Sequence, residues 1–276
     1  MVVALPHFNY IGPMCYSTSN KNKNPSRMEK AFDAPIQVGY HPYYWMSGFA
    51  HGKINVLKQE SPSEIGEAVW GICEPETTDV ALRWKDLGGK SLNTQAEYVF
   101  DNRRTADAIF ERRCLIPVTG FFEPYKLKGK SYPHLVQPLH DDYLGLLGVY
   151  NTIDGVGYCS ILTSEANAFM KVVHNDKKRQ PILLDPYHWK DWLQADLDSD
   201  AISQLMFHAD TQQELESYTV ARPATNARAE NNVLEVLEFA DYPEVKAQQR
   251  YDISQLDRYH PNFDHLNARA TKSGLF

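Results

Sequence analysis

Cys15 follows Met14 in the stretch GPMCYSTSN, Gly12 to Asn20. Inside a chain a cysteine is a small hydrophobe with a weakly acidic thiol. At a chain terminus it is a different reagent, because a free amine and a thiol then sit on adjacent carbons. The amine adds to an aldehyde to give an imine. The thiol next door can close on the imine carbon, which makes a five-membered thiazolidine. An α-amine with a pKa of about 7.7–8.0 is roughly one-tenth neutral at pH 7, so it is a usable nucleophile. A nearby cation would help the thiol ionise. Removal of Met1–Met14 exposes both groups, and retention of that leader locks the amine in a peptide bond. The condensation also needs proton transfers, and Glu123 and His174 are suitable types for them.

Each of these residues has a plainer reading. Cys15 alone reads as a loose terminal residue. Glu123 alone reads as a turn acid or a buried structural partner. His174 ends a helical pattern, where an imidazolium suits the helix dipole. Asn93 suits a turn cap. Trp70 suits a core. Of the pair Arg112-Arg113, one faces inward, since a strand alternates its faces. Cys73, Cys114 and Cys159 read as buried structural thiols. The four cysteines form no C-x-x-C pair, which argues against a zinc site or a thioredoxin-like motif. No metal or organic cofactor is expected.

The elements that must position these residues follow from local pattern. Residues 1–13 read as a leader or tag-like extension. Residues 17–30, polar and basic, read as a loop entering a helix. Lys53–Leu57 alternates like a strand. Residues 105–126 begin helically, change to strand at Cys114–Val118 and turn at Thr119-Gly120. Two apolar runs, 143–153 and 157–166, are joined by Asp154-Gly155, a hairpin signal. Residues 166–174 have helical period, PILLD is a short extended piece, and Pro186 opens another helix. From about residue 241 the chain is a polar C-terminal extension. Strands and helices mix without a βαβ rhythm, which favours α+β with a curved mixed sheet.

At 276 residues the chain can bury a sizeable core. Its net charge of −7 argues mildly against a general affinity for nucleic acid but leaves room for a local basic groove. Residues 83–134 hold ten Lys/Arg against six Asp/Glu, and Lys21, Lys23 and Arg27 follow Cys15 closely. No apolar run is long enough to span a membrane, and the leader lacks the basic start of a signal peptide. A cytoplasmic monomer is expected.

Four segments in order carry a resemblance: Met14-Cys15, Asn93 to Glu97 (NTQAE), Arg112 to Lys126 (RRCLIPVTGFFEPYK) and Thr163 to Leu184 (TSEANAFMKVVHNDKKRQPILL). With Trp70-Gly71-Ile72 they resemble the SRAP family, the SOS-response-associated peptidases, over roughly residues 14 to 240. The resemblance implies one SRAP-like α+β domain with a curved, barrel-like mixed sheet flanked by helices. It implies protection of abasic sites in single-stranded DNA through a thiazolidine on Cys15. By resemblance Glu123 and His174 are the catalytic Glu and His, and Asn93 orients nucleophile and substrate. Trp70, Arg113 and Arg179 lie in segments that the resemblance assigns to DNA.

Departures bear on DNA affinity more than on the crosslink chemistry. Gln95 replaces the Arg of N-A-R-A-E, Tyr16-Ser17 replaces Gly-Arg, Pro124-Tyr125 stands where Trp is usual, and Gln180 replaces Met. A literal NARAE at 226–230 is out of order and reads as coincidence. Two other functions compete. One is an N-terminal-Cys thiol autopeptidase or hydrolase using the same Glu and His. The other is an inactive relative that binds single-stranded DNA.

Overall fold

The computed structural model describes residues 16–252, apart from 38, 141, 208–213, 226–230 and 249. The first strand, β1 (Ser17–Asn20), is followed by α1 (Pro25–Phe32), β2 (Tyr43–Ser47), β3 (Lys53–Lys58) and β4 (Ser61–Trp70). Then come α2 (Val80–Leu87), β5 (Asn93–Gln95), α3 (Ala108–Glu111), β6 (Arg113–Val118), β7 (Gly120–Leu127) and β8 (Lys130–Pro138). The hairpin β9 (Leu144–Ile153) and β10 (Val156–Glu165) leads to α4 (Ala168–Val173) and β11 (Arg179–Pro181). Last are α5 (Trp189–Trp192), α6 (Ser199–Phe207), β12 (Leu215–Thr219) and β13 (Arg250–Asp252).

Five strands, in the order β10-β4-β3-β6-β9, close into a barrel because β9 pairs back onto β10. Closure removes the exposed edges that an open sheet would carry. The barrel is mixed: β10 runs parallel to β4 and antiparallel to β9. The β9–β10 turn is Asp154-Gly155, both at positive φ (49° and 78°), as a tight hairpin of matching twist requires. Beyond the barrel pairing, β10 continues alongside β5 and then β11. A second sheet has the order β13-β12-β8-β7-β1-β2.

Alternation along β6 divides the core. Cys114 and Ile116 join a cluster with Val56, Trp70, Phe121, Val136 and Phe169, which binds the barrel to the second sheet and to α4. Leu115 faces the other way, with Met28, Phe32, Trp189, Trp192 and Ile202 of the covering helices. At Gly148 a Cβ would stand 2.9 Å from Cys114 Sγ and 2.9 Å from Ser160 O, so the barrel is too tight there for any larger residue.

The expectation of a loop at residues 17–30 fails at its start. Ser17–Asn20 is a buried strand between β2 and β7. Its polar side chains conceal it from a hydrophobic pattern, yet they are satisfied in place. Thr18 Oγ1 shares a 2.9 Å hydrogen bond with Tyr43 OH, and Asn20 Nδ2 donates to His41 O at 3.0 Å. In the polar C-terminal stretch, Arg250–Asp252 adds β13 to the edge of β12.

Candidate active site

Glu123 lies on β7, one residue past the last β1 pair, Ser17↔Phe122. Tyr16 immediately precedes β1, one residue before that pair, so Tyr16 and Glu123 are next in line. The Tyr16 carbonyl accepts from Gly48 N at 2.6 Å, and its ring packs on Phe49 at 4.8 Å between centroids. The residue bonded to the Tyr16 nitrogen is Cys15, which lies outside the described residues. The literal NARAE at 226–230 lies outside them too.

His174 is delivered by α4. Asn167 caps that helix, accepting from Met170 N at 2.9 Å, and Phe169, Met170 and Val173 bury it against the core. His174 is the residue after the last turn, and its N–H bonds to Met170 O at 2.7 Å. The imidazole Nδ1 stands 3.3 Å from Glu123 Oε2 and 3.1 Å from Arg179 O. A backbone carbonyl only accepts, so Nδ1 carries the hydrogen and Nε2 of the neutral ring keeps its lone pair. Burial of the ring lowers the His174 pKa, against the raising effect of the Arg179 carbonyl and Asp176. Lys177 and Lys126 lower it further. At neutral pH the imidazole is therefore a neutral base. Glu123, 1% exposed, is held beside it. A carboxyl and an imidazole in this contact can pass a proton between a reacting group and the protein.

Two supports of this pair carried no sequence signal. His134 faces Glu123 across the β7–β8 pairing and is fully buried. Opposed residues share a face with Cβ atoms about 5 Å apart. Asn175 clamps the loop after His174 onto β7: its Oδ1 accepts from Lys126 N and its Nδ2 donates to Lys126 O, both at 2.8 Å.

Asn93 begins β5, beside Ile161 of β10. Trp70 sets the residue before it. The indole Nε1 donates to Leu92 O at 2.9 Å, and Ile161 N donates to the same oxygen at 3.1 Å. Asn93 and His174 are thus hung from one strand, since β10 leads directly into α4. Asn93 is partly exposed.

The three residues expected at DNA are placed differently. Trp70 has no exposed surface and packs in the barrel core, so no base can stack on it. Arg113 is also fully buried, on the outer face of β6. It donates to Ile109 O and Phe110 O at the end of α3, and to Trp192 O and Gln194 O at the end of α5. A guanidinium there meets the negative ends of two helices, which explains a buried arginine with no carboxylate. Burial still lowers its pKa to about 10. Both residues position the fold; neither presents its side chain to a ligand. Arg179 is 8% exposed and forms a two-pronged ion pair with Glu97, at 2.7 and 2.8 Å, while also donating to Thr163 O at 2.7 Å.

The buried role of Arg113 has a measurable consequence. Arg113→Met removes the donors from four carbonyls in a dry site, and is expected to cost about 3 kcal/mol. Urea unfolding should show a lower midpoint with an unchanged slope. A phosphate-contacting arginine would instead leave stability alone and weaken DNA binding by the folded protein.

The remaining thiols are poor nucleophiles. Cys73, Cys114 and Cys159 are free and fully buried. Burial pushes Cys73 up to about 11 and Cys159 up to about 12, and raises Cys114 well above its ordinary value. Among the described residues no cluster of His, Cys, Asp and Glu could hold a metal ion. No helix there is long and apolar enough to cross a membrane.

Residues 14–227 match the profile of a family described as SOS response associated peptidase (SRAP). The chain belongs to the SRAP family. Similar sequences include the abasic site processing protein YoqW of Bacillus subtilis, 25% identical over 206 residues that cover 72% of this chain and 87% of YoqW. The abasic site processing protein YoaM of the same organism is 27% identical, covering 72% of this chain and 86% of YoaM. Among solved structures, a protein from Bacteroides thetaiotaomicron superposes with a TM-score of 0.71 over 82% of this chain and 100% of its own, at 18% identity. One from Bordetella bronchiseptica gives 0.62 over 75% and 100%, at 19% identity. These confirm the SRAP fold expected from the motifs: a closed mixed barrel with a second sheet and flanking helices.

Proposed function

We propose that this SRAP protein processes abasic sites in DNA, and that it does so by crosslinking Cys15, once N-terminal, to the open-chain sugar. The observation that carries the reading is the buried Glu123–His174 contact, next in line to Tyr16, the residue that precedes β1 and is bonded to Cys15. The relatives named abasic site processing proteins support the substrate.

The chemistry balances without a cofactor. The sugar ring opens to an aldehyde as its ring oxygen takes a proton. The α-amine adds to the aldehyde carbon, and the resulting hydroxyl leaves as water after protonation, giving the imine. The thiol then adds to the imine carbon while its proton passes to the nitrogen. One aldehyde, one amine and one thiol become a thiazolidine and water. Glu123 and the neutral His174 supply and accept the protons, and Asn93 orients the reacting groups. A single strand suits the task, since the sugar is reached without unpairing a duplex. Both proton-transfer groups come from one chain, so a monomer suffices.

The test is a denaturing gel of protein beginning at Cys15, and of the full chain, each mixed with single-stranded DNA carrying one abasic site. A shifted band from the Cys15 form alone supports the reading and makes leader removal the activating step. A shift from both, with residues 1–14 lost from the full chain, adds the autopeptidase activity that the family's description suggests. Intact abasic DNA with no band from either form would sink the proposal.

A further inference from the structure

The arginines of the basic stretch 83–134 are largely engaged. Arg83 pairs with Glu74, Arg103 with Glu76 and Arg112 with Glu111, and Arg113 is in the core. The cations that follow Cys15 are also occupied. Lys21 donates to Gln137, Lys23 lies over the Tyr44 ring, and Arg27 pairs with Asp142. They sit at the far end of β1, which runs away from Glu123: Ser19 is opposite Gly120.

A different set of charges stands beside the proton-transfer pair. Lys126 ends β7 near its hairpin, and Lys128 forms the turn with Gly129, at φ 49° and 76°. Lys177 and Lys178 lie in the loop between α4 and β11. All four are exposed, and among the described residues none is in an ion pair. The Asn175 clamp holds the two segments together, so the four lysines are carried on neighbouring stretches of backbone. The charges of Lys126 and Lys177 both act on His174, which places them near the site. Asp176 is the one carboxylate in that loop. On a protein of net charge −7, such a patch is a local exception.

We propose that Lys126, Lys128, Lys177 and Lys178 form the surface that carries the phosphate backbone of the single strand past Glu123 and His174. The proposal rests on the abasic-site reading above. Four ammonium groups on two segments fixed to each other suit a repeating line of phosphates. They also make up for arginines that are spent elsewhere in the fold.

The experiment measures binding of an oligothymidylate without any abasic site over a series of salt concentrations. The proteins are the parent, Lys126→Gln/Lys177→Gln, and Lys30→Gln/Lys85→Gln as a control that removes two exposed charges elsewhere. Each lost phosphate contact lowers the log–log salt slope by about 0.7. The first double variant should therefore lose about 1.4 in slope, and the parent-to-variant affinity ratio should shrink about 25-fold over a tenfold rise in salt. The control should keep the parent's slope. An unchanged slope in Lys126→Gln/Lys177→Gln, or an equal loss in the control, overturns the proposal. Because this DNA has no abasic site, the slope is read whether or not any crosslink forms. A lysine-dependent slope without crosslinking would sink the proposed reaction alone.

Discussion

Protein that begins at residue 15 but carries Cys15→Ala is expected to give no covalent band on abasic DNA that survives denaturation. The alanine still offers an α-amine, so it should still form an imine. That imine hydrolyses when the complex is unfolded, and borohydride should trap it as a stable amine. The wild-type band should need no reductant, because ring closure by the thiol means that neither new bond is lost unless both reopen. The contrast separates the roles of amine and thiol in one gel. The other thiols cannot take over: Cys73, Cys114 and Cys159 are fully buried, and burial keeps them protonated. A reductant-independent band from the Cys15→Ala protein would place the bond on another residue, and the thiazolidine would have to be abandoned.

The elements that hold this chemistry were partly legible in the sequence. The helix-to-strand change before Cys114 and the Asp154-Gly155 hairpin depend on residues close in sequence, and both are present; at the expected turn the chain only bends at Thr119, and Gly120 already begins β7. The helical period at 166–174 is α4 with two residues trimmed from its start, which the Asn167 cap sets, and one from its end. The partners of these elements were not legible. Strand β1 is built from Ser, Thr, Ser and Asn, whose burial depends on hydrogen bonds to β2 that no pattern within residues 17–20 reveals. Glu123 and His174 are 51 residues apart and meet only because α4 packs against β7. Trp70 and Arg113 show the opposite error. Their types suit DNA, but side-chain direction on β4 and β6 decides their role, and both point into packed layers. The motifs thus contain two residues that the fold brings into contact, Glu123 and His174, and two that it buries away from any ligand, Trp70 and Arg113.

The pH dependence of crosslinking should carry the signature of His174. The neutral α-amine is needed for attack, so the logarithm of the rate should rise with slope one below about pH 7.7–8.0. The neutral imidazole is a second requirement. Its pKa is lowered, first by burial and then by Lys177 and Lys126, while the Arg179 carbonyl and Asp176 oppose the shift. Glu123 touches it at 3.3 Å, and His134 stands behind Glu123. Protonation of His174 therefore belongs below its ordinary value of 6.5. The slope should steepen to two only there, and pH 7 activity should be limited by the amine alone. Stability follows the same sign. The unfolded imidazole binds protons more readily than the folded one, so this contribution is present above pH 6.5 and is lost as pH falls below it. His174→Gln should lower the rate at pH 7 by about 10²–10⁴-fold and remove the steep limb, leaving slope one throughout. Glu123→Gln should cost a similar factor, and the double variant little more than either alone, because the two act as a unit. A steep limb that persists in His174→Gln would assign that proton to another group and reduce His174 to a helix-end support.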